Sequence, residues 1–248
     1  MSIKDFIINE IDKLPPLPKT VQELKISYED DNSTAQDLEN IIKKDPVLVV
    51  DILRLANSPY YGFSHEIHDL RHAIVLFGFD EIINFAIYSA LEKSFEFDLS
   101  PYSINELDFL NLSILKQNIS KKFFKENKNL SILLKSSSFL SDIGKIVLAK
   151  YAKENSILIV EEEKSLKDID NIEKERLEYD TIDVSCLIFE KWNFDKKFID
   201  IIYNSKKCSQ NEVSNYLNSI RNIVTIKANI LDTENVECID KEIIANAL

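Results

Sequence analysis

In this 248-residue chain one carboxylate stands out for its surroundings: Asp142, inside the apolar stretch Leu130–Lys150. Leu133, Leu140, Ile143 and Val147 recur at one- or two-turn spacings, and Phe139, Ile146 and Leu148 carry apolar surface round the rest of the circumference. That pattern predicts one continuous buried helix. Ser136, Ser137, Ser138 and Ser141 are small enough to let neighbouring helices approach closely. A buried carboxylate without a partner is costly, so Asp142 requires hydrogen bonds, a cation such as Lys145, or a metal ion. Lys145, three residues on, can pair with it along one helix face. Two chemistries follow: a remnant phosphate or nucleotide pocket built on Asp142 and Lys145, or a structural carboxylate held by Lys145 or a neighbouring helix end. The structural role is the expectation.

The three imidazoles, His65, His68 and His72, lie in one early segment. His68 and His72 are four apart and could share a helix face as a metal pair. Glu66 and Asp69 are near, but no third ligand follows at helical spacing. Surface titration, or capping of a helix that starts at Asp69, is therefore expected instead. Cys186, Cys208 and Cys238 lack metal-ligand spacing. The opening residues have no signal-peptide core, so the thiols are expected to be reduced and the protein cytoplasmic. No P-loop, dinucleotide fingerprint or Gly-x-Ser-x-Gly is present.

Three glycines in a chain that is 45% hydrophobic exclude a turn-rich β fold and predict an all-α protein with no convincing sheet. A net charge of −12 argues against nucleic acid, whose binding needs lysines and arginines to release counterions. No run approaches the roughly 20 apolar residues of a membrane span. The first helix ends at Leu14-Pro15-Pro16-Leu17-Pro18, a rigid extended strap. Thr20–Tyr28 is predicted helical, and Ser33 with Gln36 forms a capping box for the next helix. Asp45 and Pro46 suit the N-cap and first position of a helix running to Ala56. Arg54 is expected to pair with a carboxylate such as Asp45 or Asp51. Asn57, followed by Ser58, is expected to satisfy backbone groups where that helix stops. In the segment Pro59–Phe63, Tyr60, Tyr61 and Phe63 either form a partner surface or fold back over the core. Asp69–Phe77 is helical with Gly78 as a left-handed C-cap, and Asp80 caps Glu81–Leu91. Asn105–Lys125, Thr181–Trp192, Asp195–Tyr203 and Asn211–Leu231 read as helices, while residues 154–179 are ambiguous.

The order of the signals Leu-Pro-Pro-Leu-Pro (14–18), Ile-Ile-Lys-Lys-Asp-Pro-Val-Leu (41–48), Leu-Arg-Leu-Ala-Asn-Ser (53–58), Ala-Ile-Val-Leu-Phe-Gly (73–78) and Asp-Ile-Gly-Lys (142–145) resembles the HDOD family. The likeness spans roughly residues 10 to 205. It implies an HD-like multi-helix bundle with an N-terminal helical subdomain. Within a single unit of 1–248, residues 10–100 would form the N-terminal half, 101–205 the HD-like half and 206–248 a C-terminal helical extension. HD-type phosphohydrolases hold one or two metals with His and Asp from several helices. Here the His of the His-Asp pair falls on Ser141, leaving Asp142 alone. The His of the preceding helix falls near Leu112, and later ones near Thr181 and near Asn204-Ser205. Asp45, Pro46, Arg54, Asn57, Ser58, Gly78 and Gly144 are the family-motif residues with structural roles. The resemblance thus implies a bacterial regulatory or scaffold protein that acts on signalling partners, without a metal or other cofactor. The alternatives are a metal-dependent phosphodiesterase, or a domain that senses a nucleotide in the vacated pocket.

Overall fold

Side-chain caps start most of the helices. The computed structural model describes residues 1–30, 32–161 and 164–227, together with Leu231, Cys238, Ile239 and Ile243. Among them are thirteen α-helices and no strand, only the isolated antiparallel bridges Ser165–Thr225 and Val224–Leu231. The chain divides into two compact units, residues 15–94 and residues 1–14 with 95–248.

In the unit of residues 15–94, Leu17 is buried beside two exposed prolines, and Leu17 O accepts from Gln22 Nε2. Five helices follow: α2 (Lys19–Glu29), α3 (Ala35–Ile42), α4 (Pro46–Ala56), α5 (Leu70–Phe77) and α6 (Phe79–Ser94). The capping box of α3 is one residue later than expected, built by Thr34 and Asp37, because Ser33 Oγ is engaged 2.8 Å from Ser27 Oγ. Asp45 caps α4 through Leu48 N, with Pro46 at the first helical position. Gly78 ends α5 at φ +81° and ψ 169°, so it is not the left-handed cap expected. This extended positive-φ region belongs to glycine, and it turns the chain through 117° directly into α6. Helix α6 consequently begins at Phe79, before Asp80. It supplies the core of the unit, with Ile82, Phe85, Ala86 and Leu91 buried.

The second unit holds α1 (Ile3–Asp12), α7 (Glu106–Ser120), α8 (Lys128–Leu140), α9 (Gly144–Glu154), α10 (Leu166–Leu177), α11 (Thr181–Lys191), α12 (Lys196–Asn204) and α13 (Glu212–Ile223). The predicted single helix over 130–150 is two helices, broken at Ser141–Ile143. Apolar periodicity reports burial, and a tight turn between two buried helices leaves that pattern intact. The expected long helix over 105–125 stops at Ser120, and the one over 211–231 stops at Ile223. In place of a further helical turn there, Val224 O accepts from Leu166 N, and Ile226 N donates to Lys164 O. Helices α7, α8 and α13 pack on one another, and α9 packs on α11. No single helix is long and apolar enough to cross a membrane.

Gly144 explains how closely α9 meets α11. A Cβ there would lie 2.2 Å from Thr181 O and 2.7 Å from Ser185 N. The contact is hydrogen-bonded: Gly144 N donates to Ser185 Oγ at 2.8 Å, and Ser185 Oγ donates to Ser141 O at 2.8 Å. Cys208 and Cys238 are joined in a disulfide, against the expectation of three reduced thiols; only Cys186 is free, and it is buried. Cysteines thirty residues apart in sequence carry no sign of their approach.

Candidate functional site

The break between α8 and α9 puts Asp142 in a turn at the centre of the second unit, 1% exposed. Lys116, 0% exposed, reaches it from α7: its Nζ lies 3.0 Å from Asp142 Oδ2 and donates to Ser141 Oγ at 2.8 Å. Arg221 reaches it from α13, with Nη2 at 3.3 Å and Nε at 3.4 Å from Asp142 Oδ1. The same guanidinium makes a two-pronged pair with Asp170 of α10, Nη1 to Oδ2 at 2.6 Å and Nη2 to Oδ1 at 2.8 Å.

Lys145 does not take the role expected of it. Its Nζ donates to Thr181 Oγ1 at 2.8 Å and Glu173 Oε1 at 3.3 Å, and stands 3.9 Å from Asp170 Oδ1. With the break in the helix, Asp142 and Lys145 no longer share a helical face, and Lys145 points toward α10 and α11. Fully buried Glu173 also accepts from Tyr102 Oη at 2.8 Å, Thr181 Oγ1 at 2.7 Å and Thr181 N. Three cations thus face three carboxylates in a balanced buried network.

Electrostatics follow from this balance. Burial pushes the Asp142 carboxyl up, but the fields of Lys116, Lys145 and Arg221 override it and hold the group well below the usual carboxylate range. Burial pulls Lys116 down to about 8 against the opposing field of Asp142. Burial likewise opposes charge on Lys145, yet Glu173, Asp142 and Asp170 carry it above its ordinary value. Burial raises Glu173, with Lys145 pulling the other way.

Of the positions where the family's histidines would fall, Ser141 and Thr181 belong to this network. Leu112 is buried on α7, one turn before Lys116. Asn204 is exposed at the end of α12. Ser205 is buried and bonded locally, its Oγ to Ile202 O at 2.6 Å, while its carbonyl accepts from Asn218 of α13. Sequence reasoning missed Lys116, Asp170, Glu173 and Arg221. Arg221 had a signal: it lies four residues after Leu217 and three before Val224, a cation on a buried helical stripe.

Other candidates divide. Asn57 Nδ2 donates to Leu53 O and Ile67 O, each at 2.8 Å, and its Oδ1 accepts from Ile67 N at 2.8 Å, tying the end of α4 to the chain ten residues on. Ser58 starts the short turn Pro59–Tyr61 by accepting from Tyr60 N. Arg54 pairs with a carboxylate as expected, Glu92 of α6. Asp45 is spent on its cap, and Asp51 accepts from Ser89 at 2.6 Å and pairs with Lys93 at 2.7 Å. Tyr61 folds inward onto Phe77 and Phe85, at ring-centroid distances of 4.7 and 6.4 Å, and donates to Glu81 at 3.2 Å. Tyr60 is half-buried, while Phe63 stays 44% exposed beside a cleft of about 240 Å³ shared with Asn57, Ser58, His65 and Glu66. His65, His68 and His72 are all exposed. His72 N is capped by Asp69 at 2.7 Å, and His68 lies 3.7 Å from Glu66. Among the described residues no group of three His, Cys, Asp or Glu side chains is placed to hold a metal ion.

The HDOD domain family matches residues 14–208, and the chain belongs to that family. Solved structures with the same fold include an HDOD domain protein from Geobacter sulfurreducens, 16% identical, with a TM-score of 0.58 over 88% of this chain and 75% of that one. A protein from Marinobacter aquaeolei VT8 named for signal transduction is 17% identical, with a TM-score of 0.70 over 99% of this chain but 59% of that one. One from Shewanella amazonensis SB2B named for phosphohydrolase activity is 21% identical, with a TM-score of 0.58 over 88% and 79%. An uncharacterized protein of Treponema pallidum (strain Nichols) is 31% identical over 68 residues, 27% of this chain and 13% of that protein's length.

Proposed function

We propose that this HDOD domain is a regulatory or scaffold protein of bacterial signalling that performs no hydrolysis and acts by binding other proteins. One observation carries the reading. The carboxylate aligned with the metal-binding Asp of HD-type hydrolases, Asp142, has Lys116 and Arg221 at 3.0 to 3.4 Å. A divalent cation there would meet an ammonium and a guanidinium, with a second ammonium, Lys145, near by. It would gain no imidazole from Leu112, Ser141, Thr181 or Asn204-Ser205. The residues do not fit a metal, so no catalytic step is derived through one. A nucleotide would likewise have to displace paired buried side chains. The partner surface proposed is the exposed Phe63 with the small cleft beside it, while Tyr61 secures this loop from within.

The test is an assay of the purified protein on a generic phosphodiester and on cyclic dinucleotides with manganese, iron or magnesium added. The expected outcome is no turnover above the metal alone. Turnover that disappears in Asp142→Ala overturns the reading. Affinity capture with wild type and with Phe63→Ala should then show a partner lost in the variant.

A further inference from the structure

Arg221 lies outside the family-matched residues 14–208, on a helix that those residues do not include. It is nevertheless 2% exposed and bonded to both Asp142 and Asp170. Helix α13 delivers it by packing on α7, α8 and α10. The Cys208–Cys238 disulfide closes a loop that contains the whole of α13. Neighbouring side chains seat the helix further: Asn218 Nδ2 donates to Ser205 O at 2.7 Å, and Val224 O accepts from Leu166 N at 3.1 Å.

We propose that α13 is a built-in plug for the HD-type pocket, with Arg221 as the resident cation that shares Asp142 with Lys116 and supplies positive charge where relatives would use a metal. This rests on the reading of Asp142 as the degenerate metal position and adds what keeps that position closed. Arginine suits the task because its planar fork spans two carboxylates at once and keeps its charge when buried. A lysine at position 221 would offer one ammonium to two acids from a different reach. The plug also accounts for the neutrality of the network, since without Arg221 the three carboxylates face only two lysines.

The experiment is a double-mutant cycle on the full chain with its disulfide intact, read by thermal unfolding with and without 1 mM manganese. Arg221→Met and Asp142→Asn are each expected to lower Tm by roughly 10 °C, and the double variant by no more than the worse single, because each removes the same interaction. Should Arg221→Met fail to fold, Arg221→Lys replaces it, with a smaller loss and the same non-additivity against Asp142→Asn. Manganese is expected to leave the wild-type Tm unchanged. Losses that add in the double variant overturn the plug, as does a manganese-induced rise in the wild-type Tm. Hydrolytic turnover is read separately: its presence defeats the proposed function, while the mutant cycle still reports whether Arg221 and Asp142 act as a pair.

Discussion

At the scale of single residues, Asp142 is the group whose loss should matter most. Its folded pKa is depressed below the ordinary aspartate value, so its stabilisation is complete above about pH 4 and lost as pH falls through the folded value. Glu173, raised in the fold, works the other way: its contribution is present below about pH 4.3 and fades as pH rises. Asp142→Asn leaves Lys116 and Arg221 buried against a neutral amide and should cost about 3–5 kcal/mol at pH 7. The gap from wild type should narrow below pH 4, where the unfolded wild-type chain begins to take up a proton that the folded carboxylate still refuses. Urea unfolding at pH 7 and at intervals down to pH 2 measures both. An unchanged midpoint at pH 7, or a gap that ignores pH, rejects this account.

Among the elements, α9 meets α11 in a close, hydrogen-bonded contact at Gly144. Gly144→Ala would set a methyl 2.2 Å from the Thr181 carbonyl and disturb the bonds from Gly144 N to Ser185 and from Lys145 to Thr181. Over-packing of this kind costs about 1–3 kcal/mol, and here the opposing atoms are backbone and cannot swing aside. A control in the other unit is Gly62→Ala, where nothing lies within 4 Å of the new methyl and only the positive φ opposes it. Gly144→Ala should lower the chemical-denaturation midpoint clearly more than Gly62→Ala; equal losses would mean that the close approach is not limiting. The same turn shows why periodicity misjudged this region. Leu140, Ile143 and Val147 are apolar because the end of α8, the turn and α9 are all buried, and that says nothing of where one helix ends.

For the whole molecule, the Cys208–Cys238 bridge should show in stability. Closing a loop of this size restricts the unfolded chain by about 3–4 kcal/mol. A reducing dithiol should therefore lower the wild-type Tm by several degrees and leave Cys208→Ser, already lowered, unchanged. Equal response of the two proteins would exclude the bridge in solution. At this scale the sequence alone determined a great deal: an all-helical chain, the helix starts at Asp45, Asp69 and Asn105, the buried character of Asp142, and the family. Those properties rest on side-chain caps, apolar periodicity and residues close in sequence, which a linear reading contains. Only the tertiary structure decided what Asp142 binds. Lys116, Asp170, Glu173 and Arg221 come from α7, α10 and α13, up to 79 residues from Asp142. Which distant charges meet in a dry interior depends on how helices pack, and local pattern carries no record of that.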